Sequence, residues 1–137
     1  MKRAIFTFYN LSLDTDIVRL QAEVVNKFKD KAYYGKPHNT PDFFPLCSQT
    51  HGEEVIHPDA VDYGFHQLFV EEKYDTVLLL DVDCIPLNSY ALQYTFEQAE
   101  KGKLIGNVQR GMHLDNDEHN YVAPSAFCLT RQMYEDF

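Results

Sequence analysis

Two aspartates, Asp81 and Asp83, directly follow the apolar run Val77-Leu78-Leu79-Leu80. Such a run predicts a strand that is covered on both faces inside a parallel sheet. Side chains two residues apart in an extended chain point to the same side, so this spacing predicts that both carboxylates converge. Paired carboxylates repel each other unless a cation or hydrogen-bond donors compensate, and Mg²⁺ or Mn²⁺ accepts oxygen ligands of this kind.

The two carboxylates can be interpreted in two ways. In the first, Asp81 and Asp83 hold a divalent cation whose remaining positions are filled by waters and by the phosphate oxygens of a bound diphosphate. In the second, one aspartate caps a turn or the helix that follows Asn88, and the other is merely solvated. Open α/β sheets bind ligands beyond the carboxyl ends of their strands, and this position favours the first interpretation.

The elements around this pair alternate between strands and helices. Apolar and β-branched side chains predict strands at residues 4–9, 44–47, 77–80, 104–108 and 125–129. Apolar spacing and capping residues predict helices that begin near Thr15, Pro58, Asn88 and Thr130. The first helix is expected to begin with Asp14 or Thr15 as its cap and to bury the stripe Ile17, Leu20, Val24 and Phe28. Gly102 is expected to end the third helix.

This alternation predicts a three-layer α/β/α fold with a mostly parallel central sheet. Most of residues 33–52 and all of residues 111–120 are polar or rich in proline and are predicted to be loops. A chain of 137 residues fits a single domain over residues 1–137.

Composition restricts the partners and the compartment. The chain has 12 Lys and Arg against 21 Asp and Glu, a net charge of −9, which argues against nucleic acid as the main partner. No apolar stretch reaches the roughly 18 to 20 residues of a membrane span. Three scattered cysteines favour free thiols, so we expect a cytoplasmic protein. The sequence leaves homo-oligomerisation open.

Residues 74–87, YDTVLLLDVDCIPL, resemble the Asp-x-Asp segment of glycosyltransferases with the GT-A fold, which use nucleotide-diphosphate sugars. The resemblance implies a GT-A domain that moves a sugar from such a donor to an unknown acceptor. Compared with that family, it leaves open whether the domain is truncated at its C-terminus. It implies that Asp81 and Asp83 hold Mn²⁺ or Mg²⁺ and that Asp81 also contacts the nucleotide. It further implies that the opening strand contacts the nucleotide through its last residues, which are Thr7, Phe8, Tyr9 and Asn10.

Sugar transfer with inversion also needs a base that takes the proton of the acceptor. The predicted loop at residues 111–120 contains several candidates, namely His113, Asp115, Asp117, Glu118 and His119. We select Asp117 as the base and His119 as a possible third metal ligand. A solvated turn is the alternative for each of them.

Two other functions remain open. The chain could be a non-catalytic nucleotide- or sugar-binding module of the same fold. It also resembles the haloacid-dehalogenase phosphatases, in which an Asp nucleophile and an acid-base Asp stand two residues apart after an apolar strand. In that family the motif normally continues with Gly-Thr, and here Cys84-Ile85-Pro86 stands in that place.

Overall fold

The computed structural model describes residues 1–10, 15–27, 41–47, 49–50, 53–54, 57–86, 88–114 and 117–136. The strands and helices in these ranges are, in chain order, β1 (Arg3–Tyr9), α1 (Thr15–Lys27), β2 (Asp42–Cys47), β3 (Gln49–Thr50), β4 (Glu53–Glu54), α2 (His57–His66), a π-helix (Gln67–Glu71), β5 (Thr76–Leu80), α3 (Ser89–Ala99), β6 (Ile105–Leu114), β7 (Asp117–Thr130) and α4 (Arg131–Asp136). None of the described helices is long and apolar enough to cross a lipid bilayer.

The main sheet has five strands in the order β2-β1-β5-β7-β6. Strand β1 pairs in parallel with both β2 and β5, whereas β7 pairs antiparallel with both β5 and β6. The expected α/β class is confirmed. The sheet is mixed, since two of its four strand pairings are antiparallel, and β7 is the one strand that runs against the other four. Strands β3 and β4 form a separate antiparallel pair.

The antiparallel half of the sheet arises from a hairpin that the sequence did not predict. Residues 111–120 were expected to be a loop, but β6 runs to Leu114 and β7 begins at Asp117. Polar cross-strand contacts support this hairpin: Arg110 and Glu118 approach to 2.6 Å, and the Tyr121 hydroxyl donates to Gln109 at 2.9 Å. A solvated antiparallel hairpin needs no apolar alternation, so its sequence looks like that of a loop.

Strand β5 lies in the middle of the core, and all five of its residues are buried. Alternate residues of β1 and β5 face opposite ways. One set packs with residues of α1 and α3; this cluster includes Ile5, Leu78, Leu80, Val25, Leu92, Phe96 and Ala99. The other set packs with residues of α2, the π-helix and α4; this cluster includes Ala4, Phe6, Val77, Leu79, Phe65, Leu68, Phe69, Met133 and Tyr134.

The helix boundaries follow local chemistry, but the buried face of α1 does not follow the prediction. Asn88 caps α3 by accepting a hydrogen bond from the Ala91 amide at 2.8 Å, and Gly102 has a φ of +83° just beyond that helix. In α1 the buried residues are Val18, Gln21 and Val25. The predicted stripe is wrong at Ile17 and Leu20, which are 40% and 50% exposed, whereas Val24 is partly buried against the core. Asp14 and Phe28 lie outside the described residues.

Candidate functional site

The two aspartates lie in a β-turn that begins where β5 ends. The Asp81 amide donates to the Ser125 carbonyl of β7 at 2.8 Å, which extends the β5–β7 pairing by one residue. The Cys84 amide then donates to the Asp81 carbonyl at 2.8 Å and closes a four-residue turn. Our prediction that strand alternation aligns the carboxylates is therefore wrong, because the chain is turning and not extended at Val82 and Asp83.

Both carboxylates act electrostatically on the neighbouring thiol of Cys84. Asp81 is half-buried and Asp83 is exposed. Burial raises the pKa of the Cys84 thiol, and the negative charges of Asp83 and then Asp81 raise the pKa further, against a lowering by a backbone hydrogen bond at Asp81. The turn thus gathers two like charges at the carboxyl end of the central strand.

A glutamine of α1 forms hydrogen bonds with the backbone of the turn. The Gln21 side chain is fully buried, and its Nε2 donates to the carbonyls of Asp81 and Cys84, each at 2.8 Å. No local sequence pattern predicts this contact, because it joins residues 60 and 63 positions apart. The one available hint was that Gln21 lies three residues after Val18 and four before Val25, on the helix face that proves to be buried.

The last residues of β1 lie beside the same edge of the sheet. Phe6 pairs with Leu79 of β5, and Tyr9 pairs with Cys47 at the end of β2, so the carboxyl ends of these three parallel strands lie together. Thr7 is fully buried, and its hydroxyl has no hydrogen-bond partner. Phe8 is half-buried and packs edge-to-face against Phe6, with ring centroids 5.4 Å apart.

Tyr9 and Asn10 are half-buried at this edge. The structure therefore brings the proposed nucleotide-contacting segment close to the Asp81 turn, with the Thr7 side chain enclosed in the core. The contacts of these four residues with a nucleotide stay a prediction.

Asp117 and His119 lie on the hairpin, away from the turn. His119 pairs with Gly111, and its ring centroid is 6.1 Å from that of Tyr121. Ser125, the neighbour of Asp81, lies six positions after His119 in the same strand, which corresponds to about 20 Å of extended chain. Asp117 pairs with Leu114 at the start of β7, and its side chain lies outside the described part of the structure.

Across the described ranges, no three His, Cys, Asp or Glu side chains are close enough to share a metal ion. His119 is therefore not gathered with Asp81 and Asp83, and its role as a third ligand, like that of Asp117 as a base, stays a prediction. Two carboxylates on one turn still suit a hard cation, because Mg²⁺ commonly binds one or two protein carboxylates and completes its shell with waters and substrate phosphates. The donor set fits an ion shared with a phosphate ligand.

No protein-family model matches this sequence, and no curated protein is significantly similar to it. The likeness of residues 74–87 to the Asp-x-Asp glycosyltransferases consequently depends on those residues alone.

Proposed function

We propose that this chain is a GT-A-like domain that binds a nucleotide-diphosphate sugar together with Mn²⁺ or Mg²⁺ and transfers the sugar to an acceptor. One observation carries the proposal: the Asp81-Val82-Asp83 turn follows a fully buried central strand, at the edge where the parallel strands β1 and β2 also end. Ligands of open α/β sheets bind at this edge, where the loops diverge.

The packing of the helices supports the same fold. One cluster joins α1 and α3 to the sheet and the other joins α2 and α4 to it, as a three-layer α/β/α arrangement requires. The cysteines at positions 47, 84 and 128 are free thiols, which supports a cytoplasmic location.

Each part of the site has a separate task in this proposal. Asp81 and Asp83 hold the cation, which as a Lewis acid stabilises negative charge on the departing diphosphate. Tyr9, half-buried at the end of β1, offers a ring on which a base can stack. Asp117 takes the proton of the acceptor if the hairpin approaches the bound donor.

A second function, that of a non-catalytic binding module of the same fold, is favoured by one observation. His119 lies on the hairpin and not in a cluster with Asp81 and Asp83. A binding module needs only the turn and the strand ends. Metal-dependent hydrolysis of a donor sugar supports the transferase, whereas binding without hydrolysis supports the module.

The experiment that tests metal-dependent donor binding is a thermal-shift screen of UDP-, GDP-, CMP- and TDP-sugars with and without Mn²⁺. A donor present at 100 times its Kd adds about 2.7 kcal/mol of stability, which raises the melting temperature on the order of 10 °C. We expect one donor to stabilise the protein only when Mn²⁺ is present.

The matched variants are Asp83→Asn in the turn and Asp62→Asn, an exposed aspartate of α2. The first is expected to abolish the shift and the second to leave it intact. Indifference of the wild type to every donor would overturn the proposal, as would an undiminished shift in Asp83→Asn.

A further inference from the structure

We propose that Gln21 is a positioning residue that fixes the shape of the turn from Asp81 to Cys84 and so sets the affinity of the two aspartates for a divalent cation. This inference rests on the proposed function, because it concerns the same cation. It adds a residue of α1 that touches neither the cation nor the donor and acts only through the backbone of the turn.

The geometry of Gln21 matches this role atom by atom. A carboxamide nitrogen has two hydrogens, and both are used here, one on the Asp81 carbonyl and one on the Cys84 carbonyl, each at 2.8 Å. These carbonyls belong to the first and fourth residues of the turn. The Cys84 amide also donates to the Asp81 carbonyl at 2.8 Å, so three hydrogen bonds connect the two ends of the turn to each other and to α1.

The burial of Gln21 indicates that packing alone does not account for the residue. The other buried residues of α1 are Val18 and Val25, and a third apolar side chain would fill this face without cost. Gln21 is instead fully buried with its Oε1 lacking any hydrogen-bond partner, which lowers stability. The unsatisfied Oε1 destabilises the fold, and the two hydrogen bonds of Nε2 are what the side chain contributes in its place.

A consequence for the cation follows from electrostatics. Asp81 and Asp83 repel each other, so a turn that is free to open would move them apart when no cation is bound. Binding would then have to reorder the turn, and the apparent affinity would fall by the fraction of molecules in the competent form. With Gln21 in place, the turn is already ordered before the cation arrives.

The test compares Gln21→Met, which has a similar length but no donor, with Gln98→Met as its matched control. Gln98 is also buried, on α3, and its Oε1 accepts a hydrogen bond from Lys103 at 2.8 Å, away from the turn. Two quantities are measured: hydrogen exchange of the Cys84 amide by NMR, and the Kd of Mn²⁺ by electron paramagnetic resonance in the presence of UDP, GDP, CDP or TDP.

We expect Gln21→Met to exchange the Cys84 amide about tenfold faster and to bind Mn²⁺ about tenfold more weakly, because two hydrogen bonds are lost while the removal of one unsatisfied oxygen offsets part of that loss. Gln98→Met is expected to change neither quantity, whatever its melting temperature. Unchanged exchange and unchanged Mn²⁺ affinity in Gln21→Met would overturn the proposal.

Two further measurements separate the possible failures. If Gln21→Met does not fold, the wild type is tested directly: slow solvent exchange of both Gln21 side-chain amide protons supports the proposal, and fast exchange overturns it. If the wild type binds Mn²⁺ with none of the four nucleoside diphosphates, the proposed function fails and so does the effect on the cation. Cys84 amide exchange then still reports whether Gln21 orders the turn.

Discussion

Charged side chains show how the two ends of the central strands differ. At the amino end, the guanidinium of Arg3 makes two hydrogen bonds of 2.7 Å with Glu100 and lies 5.3 Å from the centre of the Phe96 ring. A buried charge is tolerated there because it is paired. At the carboxyl end, Asp81 and Asp83 bring two charges of one sign into a single turn. Charge is therefore paired at the amino end, whereas two like charges adjoin at the carboxyl end, where we propose that a cation binds.

Tyr74 allows a prediction about pH at the residue scale. Its hydroxyl donates to Asp42 at 2.6 Å; burial, then this hydrogen bond and the charges of Asp42 and Glu72, raise the pKa of Tyr74. Because the folded-state pKa lies above the unfolded value of about 10, the stabilisation is complete below pH 10 and is lost as the pH rises beyond it. We expect Tyr74→Phe to lose about 1 kcal/mol at pH 7.

The difference between Tyr74→Phe and the wild type should shrink above pH 10, where the unfolded wild type gains an ionised phenol. Urea unfolding at pH 7 and pH 10.5 measures it, with Tyr63→Phe as the control because Tyr63 is 60% exposed. An equal difference at both pH values would contradict the role of the Asp42 hydrogen bond.

Local chemistry explains which residues could be predicted from the sequence. Asn88 caps α3 and Gly102 takes a left-handed φ because each satisfies a need of its own helix end. The turn at Asp81 depends instead on a hydrogen bond that its amide donates to Ser125 and on one that its carbonyl accepts from Gln21, and both partners are distant in the chain. No local pattern contains that information, so the residue types at the site could be predicted and their geometry could not.

At the scale of elements, α1 shows how an apolar stripe can mislead. Ile17, Leu20 and Val24 form a regular pattern, yet Val25 is fully buried and Leu20 is half exposed. We expect Val25→Ala to lower the free energy of unfolding by roughly 2 kcal/mol. Leu20→Ala should change it by no more than about 0.5 kcal/mol. Urea titrations measure the free energy of unfolding of both variants. A larger decrease in Leu20→Ala than in Val25→Ala would favour the buried face that the sequence predicted.

The hairpin of β6 and β7 depends on a close approach at Gly106. A Cβ at this position would contact Val122 Cγ1 and would lie 2.6 Å from the Ala126 carbonyl oxygen, where the strand register shifts. A backbone atom cannot move aside as a flexible side chain can. Gly106→Ala should therefore destabilise the fold by about 1–3 kcal/mol.

Gly102→Ala is the matched control for Gly106→Ala, since a Cβ there meets nothing within 4 Å and only the φ of +83° opposes it. That variant should lose about 1–2 kcal/mol through backbone strain alone. Amide exchange across residues 105–130 distinguishes the two variants, because Gly106→Ala loosens the hairpin and Gly102→Ala does not. If the amides of β6 and β7 remained protected from exchange in Gly106→Ala, the two strands would be able to move apart enough for the added Cβ without losing their hydrogen bonds.

At the scale of the whole molecule, the order of strands and helices predicted the α/β class. It could not predict the position of β7 in the sheet. A strand-helix alternation predicts parallel neighbours, so β1, β2 and β5 follow from it. Strand β7 enters between β5 and β6 by returning from a hairpin whose polar residues carry no strand signal. The site inherits this arrangement, since Ser125 of β7 fixes the first residue of the turn.

If the chain binds its donor as proposed, the charge of the whole chain makes the binding of cation and nucleotide interdependent. A net charge of −9 and two clustered carboxylates repel a free diphosphate, while two protein ligands alone hold a divalent ion weakly. When both bind, the cation neutralises the repulsion between the diphosphate and the carboxylates, and the diphosphate supplies further oxygen ligands to the cation. By linkage, Mn²⁺ must raise the affinity for UDP by the same factor as UDP raises the affinity for Mn²⁺, and we expect about 10- to 100-fold.

Isothermal titration of UDP with Mn²⁺ present and after its removal by EDTA gives one factor, and titration of Mn²⁺ with and without UDP gives the other. The same titrations with GDP, CDP and TDP extend the comparison to other bases. Equal factors above 10 for at least one diphosphate agree with an ion shared between the turn and the phosphates. Nucleotide affinity that is indifferent to EDTA would mean that the diphosphate binds without help from the aspartates, since only a bridging cation can convert their repulsion into attraction.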